Sequence, residues 1–138
     1  MSTPLIVVHH DADVLAEAVA ARLITRIADV QAARLGASVV LTGGGVGTAT
    51  LAAVAASPAR SAVDWAHLDV WWGDERFLPT GDAERNETQA RTALLDHVPV
   101  DPDRVHPMPA SDSPNVSGDS DAAAEFYAAT LAASARPE

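Results

Sequence analysis

The sequence predicts an α/β domain: an open, mostly parallel sheet with helices on both faces. Three observations predict it. Short β-branched or aromatic apolar runs recur at Pro4 to His9 (PLIVVH), Ala37 to Thr42 (ASVVLT) and Leu68 to Trp72 (LDVWW). Segments with apolar residues three and four apart separate them, as helical periodicity requires. Glycine-rich or charged turns follow the second and third runs directly. Strands alternating with helices imply parallel neighbours joined by crossovers.

Each element has a local reason. PLIVVH lacks polar alternation, which suits a strand buried on both faces. Asp11 or Asp13 can cap the helix that follows, whose Leu15, Val19, Leu23, Ile27 and Val30 share one face. Gly36 is the expected stop. ASVVLT is a second buried strand running into Gly43, Gly44 and Gly45, and a short helix follows over Thr48 to Ala56. LDVWW is a third strand, and Asn86 can cap a helix carrying Ala90, Leu94 and Leu95. Val105 to Met108 is a short fourth strand between prolines. Ala110 to Asp119 is a polar loop. Ala122 to Ala133 is a helix, with Phe126, Thr130 and Leu131 expected toward the core.

Composition narrows the function classes. The 138 residues are 48% hydrophobic, enough for one packed domain spanning residues 1–138. No apolar run reaches the roughly 18 residues of a membrane span. The first residues lack the basic and apolar regions of a signal peptide. A cytoplasmic protein is expected. The net charge is -10, and every basic residue is arginine. An acidic chain repels a phosphate backbone, so no nucleic-acid partner is expected, and the lack of a spanning run leaves no membrane partner expected. Without cysteine there is no disulfide or thiolate site. His9, His10, His67, His97 and His106 show no metal-ligand spacing, so no zinc site is expected.

Two segments could carry chemistry, and both lie at the carboxyl ends of strands, where open α/β sheets bind ligands. In Thr42-Gly43-Gly44-Gly45-Val46-Gly47, glycines allow close backbone approach and the next helix offers unpaired amides to an anion. No lysine follows, so this is not the phosphate loop of nucleotide hydrolases. A tight turn without ligand is the other reading. In Gly73-Asp74-Glu75-Arg76, a carboxylate can orient a base or a sugar hydroxyl, and arginine can bind phosphate with two donors. A surface salt bridge in a turn is the alternative. Trp71 and Trp72 read as core. His10 lies at the end of the first run and could approach a ligand, or could be plainly solvated. Asn86 reads first as a helix cap and second as a ligand contact.

With these residues in view, the chain resembles the N-terminal half of 6-phosphogluconolactonases. The likeness is carried by the order of elements, the glycine loop after the second strand, the run GDERFLPTGDAERNETQARTALLDHV and the following VHPMP. Its most specific part is Gly73-Asp74-Glu75-Arg76 with Pro79, Asp82 and Asn86 at the family's spacing. The loop departs from the usual pattern of serine, two glycines and threonine-proline: here it is Thr42, Gly43, Gly44, then Val46-Gly47.

The resemblance implies a Rossmann-like sheet of the sugar-phosphate isomerase and deaminase kind, incomplete at its C-terminus. It implies hydrolysis of 6-phosphoglucono-1,5-lactone, a sugar-phosphate lactone of the pentose phosphate pathway, without cofactor or metal. Asp74 is then the candidate catalytic carboxylate. Thr42, Gly43, Gly44, Gly45 and Arg76 are candidates for binding substrate and phosphate, with Glu75, Asn86 and His10 in support. The family's Asp-Gly-His segment, taken to hold the catalytic base, does not occur in these residues. Two alternatives stand beside this one: a non-catalytic or truncated sugar-phosphate-binding domain, and a related deaminase or isomerase. An unpaired sheet edge would invite self-association.

Overall fold

The structure, a computed structural model, describes residues 2–134. Its helices and strands run α1 (Ala12–Arg34), β1 (Ala37–Leu41), α2 (Gly45–Ala56), β2 (Leu68–Trp72), α3 (Asn86–Ala93) and α4 (Ser120–Ser134), with two short 3-10 segments between α2 and β2 and two between α3 and α4. β1 and β2 are parallel neighbours, Ala37 facing Leu68 and Leu41 facing Trp72. α2 is the crossover between them. On the far side of β2, Val105 forms one parallel bridge with Val70, and the His106 N–H donates to the Val70 carbonyl at 2.8 Å. The fourth strand expected over Val105 to Met108 shrinks to this bridge, because Pro107 and Pro109 have no N–H to extend a ladder.

The period of two along β2 divides the molecule. Leu68, Val70 and Trp72 enter the core with Ile24 and Ile27 of α1, Leu51 and Val54 of α2 and Ala90 of α3. Asp69 and Trp71 alternate with them. Trp71 stacks on the His106 ring at 3.9 Å and meets Tyr127 of α4 edge-on at 5.7 Å. The Tyr127 hydroxyl donates to the His106 carbonyl at 2.8 Å and accepts from the Trp72 N–H at 3.0 Å. Burial pushes this phenol above its ordinary pKa. α1 and α2 therefore cover one face of the sheet, and α4 touches the other.

Local chemistry explains the helix ends. The Asp11 carboxylate accepts from the Val14 N–H at 2.8 Å and caps α1. The helix stops at Leu35, one residue before the expected Gly36. Leu35 takes a left-handed conformation with φ 65° and donates to the Gln31 carbonyl at 2.8 Å. The inward face of α1 is Ala16, Ala20, Ile24, Ile27 and Gln31, about one residue round from the expected stripe. Small side chains at 16 and 20 let α1 lie close to the alanine-rich α2, and the larger Leu15 and Leu23 are only partly buried. Gln31 is buried because its amide bridges the loop before β2. It donates to the Asp64 carbonyl at 2.7 Å and accepts from the Asp64 N–H at 2.9 Å.

Three further expectations fail for a shared reason. Pro4 to His9 is not a strand: Leu5, Ile6 and Val8 are more than four-fifths exposed. Val40 in β1 is 66% exposed, so β1 is buried on one face only. On α4, Phe126 and Leu131 face outward while Ala123 is buried and Tyr127 and Thr130 are half-buried. β-propensity describes side chains that suit a pleated, covered surface, and it yields a buried strand only where a neighbour supplies hydrogen bonds and cover. Among the described residues no strand pairs with Pro4 to His9, and the Val40 side of β1 and the Phe126 and Leu131 side of α4 are left exposed. No helix among those residues is long and apolar enough to cross a membrane.

Candidate active site

The carboxyl ends of β1 and β2 leave the sheet side by side, since the Gly73 N–H extends the ladder by one bond to the Leu41 carbonyl at 3.0 Å. After Leu41 the chain turns through Thr42, Gly43 and Gly44 into α2. Gly44 has φ 85°, a conformation that disfavours any residue with a Cβ. No side chain caps α2, so its first amides keep their donor capacity and the positive end of the helix dipole faces outward.

After Trp72 the chain turns through Gly73 to Asp74. The Asp74 carboxylate is exposed. Its Oδ1 accepts from the Thr42 hydroxyl at 3.5 Å and from the Asn86 amide at 3.5 Å, while the Asp74 carbonyl accepts from the same amide at 3.0 Å. Gly43 packs so closely against Asn86 that a Cβ there would lie 2.0 Å from Asn86 Oδ1. Thr42, Gly43, Asp74 and Asn86 therefore form one contact group, drawn from two strand ends and the start of α3.

Asn86 is not the cap of α3. Glu75 takes that role: its Oε1 accepts from the Asn86 N–H at 2.6 Å and its Oε2 from the Glu87 N–H at 2.9 Å. A carboxylate at this position satisfies two orphan amides and complements the helix dipole. The Asn86 side chain is thereby left for Asp74. Glu75 is nearly buried and supports the site from beneath.

Arg76 is exposed, and its guanidinium makes no hydrogen bond or ion pair among the described residues. With Gly73 and Glu75 it lines an open cleft of about 1660 Å³ that runs between the exposed Val40 side of β1 and α4 at Tyr127. That volume exceeds the roughly 300–1,000 Å³ of ordinary ligand pockets, so it marks an uncovered face. The glycine loop does not line it; the loop meets the Asp74 turn through Thr42 and Gly43, which touch Asp74 and Asn86, and not through a common cavity with Arg76. His10 stands apart from the site. With no first strand to carry it to the sheet edge, its side chain is 90% exposed and pairs with Asp11 at 3.4 Å. His106 is engaged by Asp69 at 3.0 Å beneath Trp71. No histidine contacts Asp74 among the described residues, and no cluster of histidine and acidic side chains suits a metal there.

Sequence reasoning missed Arg85. It is fully buried, donates to the carbonyls of Arg76, Leu78 and Met108, and pairs with Glu87 at 3.0 Å and Glu75 at 3.7 Å. The available signal was two acids flanking an arginine just before an asparagine-led helix. The loop beyond Arg76 is tied down as well. Asp112 accepts from the N–H and hydroxyl of Thr80, and these bonds hold its carboxyl below the usual carboxylate range, the backbone bond contributing most.

The Gly43 contact makes a specific prediction. Gly43→Ala should destabilise the chain by about 1–3 kcal/mol, because the new methyl collides with the Asn86 amide. Adding Asn86→Ala should recover part of that loss. A urea-unfolding double-mutant cycle checks this, and strictly additive effects would contradict the contact.

The chain also matches known proteins. Residues 10–138 match the family described as glucosamine-6-phosphate isomerases/6-phosphogluconolactonase. A 6-phosphogluconolactonase of Streptomyces coelicolor is 63% identical over 99% of this chain and 52% of its own length. One from Mycobacterium tuberculosis is 47% identical over 92% of this chain and 50% of its own. The solved structure of 6-phosphogluconolactonase from Trypanosoma brucei superposes with a TM-score of 0.80 at 27% identity, over 99% of this chain and 52% of that one. The chain thus spans about half the length of these relatives. The chain therefore belongs to the glucosamine-6-phosphate isomerase/6-phosphogluconolactonase family.

Proposed function

We propose that this chain supplies one half of a site that hydrolyses 6-phospho-D-glucono-1,5-lactone to 6-phospho-D-gluconate. The observation that carries the reading is the exposed Asp74 carboxylate, held by Thr42 and Asn86 beside an uncapped helix start. In lactone opening, water attacks the ring carbonyl and a general base takes its proton. A histidine suits that work near neutral pH, and in the family it belongs to an Asp-Gly-His segment outside these residues. Asp74 holds that histidine in the needed tautomer and stabilises its charged form. The Gly43–Gly45 amides and Arg76 bind the phosphate or the developing oxyanion. The reaction as written needs neither metal nor redox cofactor. The reading includes a cytoplasmic setting, and the bare edge and face of the sheet favour association with another polypeptide surface.

The family description also covers isomerases, so substrate must be tested directly. Residues 1–138 joined to the C-terminal half of the Streptomyces coelicolor relative should open the lactone, after subtraction of its spontaneous hydrolysis. The 138-residue chain alone should not. A fusion that converts glucosamine 6-phosphate but leaves the lactone untouched would overturn the reading.

A further inference from the structure

Arg85 has no exposed surface. Withdrawing a guanidinium from water is costly unless charges and carbonyls surround it, and here they come from two places that bear on Asp74. Nη1 donates to the carbonyls of Arg76 and Leu78 at 3.4 and 3.5 Å, in the turn that leaves Asp74. Nη2 donates to the Met108 carbonyl at 2.8 Å and to Glu87 at 3.0 Å, and lies 3.7 Å from Glu75. Glu75 is the carboxylate that fixes the first two amides of α3. The first residue of α3 is Asn86, whose amide holds Asp74. One side chain therefore secures the turn carrying Asp74 and also the helix start that aims it.

We infer that Arg85 is a positioning residue for Asp74, setting the carboxylate's orientation from beneath the site without touching substrate. The inference rests on the reading of Asp74 as the carboxylate of a lactone-opening site. The planar fork is what the arrangement uses. Its two terminal nitrogens reach three carbonyls and two carboxylates on different sides, whereas a lysine ammonium presents its donors from one point. The Nε has no partner among the described residues, so the geometry is set for the terminal nitrogens and not for a maximal bond count. Because Arg85 is walled off from solvent, its loss should act on turnover. Loss of the exposed Arg76 should act on substrate binding.

The test is Arg85→Lys, which keeps the charge and removes the fork. In the fusion described above, kcat should fall roughly tenfold or more while KM stays within about twofold, since small misplacements of a catalytic group cost rate. In the 138-residue chain, amide hydrogen exchange at Asn86 and Glu87 should speed up about tenfold, with Ile24 in α1 unchanged. Unchanged kcat in an active fusion overturns the inference. So does unchanged exchange at Asn86 and Glu87, or faster exchange that extends equally to Ile24 and makes Arg85 a general stabiliser. A wild-type fusion with no lactonase activity counts against the proposed function instead, and the exchange measurement still decides whether Arg85 governs the Asn86 helix start.

Discussion

Asp74→Asn should lower kcat of the fused enzyme by roughly 10²- to 10⁴-fold, the range for removing a group that serves proton transfer. The same change should leave stability almost untouched. Asp74 is exposed, and among the described residues its side chain makes two hydrogen bonds, both at 3.5 Å, the outer limit of hydrogen bonding. Asparagine keeps the size and an oxygen for Thr42, so the turn has no reason to move. The amide nevertheless lacks the negative charge that stabilises a protonated histidine and fixes its tautomer. Steady-state kinetics beside urea unfolding separate the two effects. Full turnover would remove Asp74 from the mechanism. A loss of stability matching the loss of rate would make the effect structural.

Arg85→Met should do the reverse to stability, costing about 3–5 kcal/mol in urea unfolding, as is usual when one member of a buried ion pair is deleted. The Glu75 side chain is 4% exposed and would keep its charge without its cation, and the carbonyls of Arg76, Leu78 and Met108 would lose a donor. Glu87 would be less affected because Arg91 also pairs with it at 2.8 Å, although that pair is partly solvated and contributes little. A cost below about 1 kcal/mol would mean the clasp is dispensable. Methionine here tests how much the clasp stabilises the chain; lysine tests what it aims.

How much of this was legible in the sequence depended on the range of the forces involved. β2 reads directly from LDVWW, because a short aromatic and β-branched run ending in glycine needs no distant information, and it runs over the expected residues. The Asp11 cap is likewise a contact three residues long. The glycine loop and the Asp74 turn were placed at strand ends, and they meet there through Thr42 and Asn86. Longer-range features were not legible. Whether PLIVVH becomes a strand depends on a neighbour the local sequence cannot name. The face of α1 was misjudged by about one residue because closeness to α2 favoured alanines over larger leucines. The cap of α3 comes from Glu75, eleven residues before the amide it serves, and nothing local to Asn86 reveals that. Arg85 was legible only in its local partner Glu87; Glu75 and the Met108 carbonyl join it only once the loop through Met108 has folded.

The most direct measurement is a titration of the isotope-labelled fused enzyme with 6-phosphogluconate, followed amide by amide. If the glycine loop and the Asp74 turn are one site, the amides of Gly43, Gly44, Gly45 and Arg76 shift together along a single saturable curve. A ligand that saturates while the three glycine amides stay still would contradict that claim.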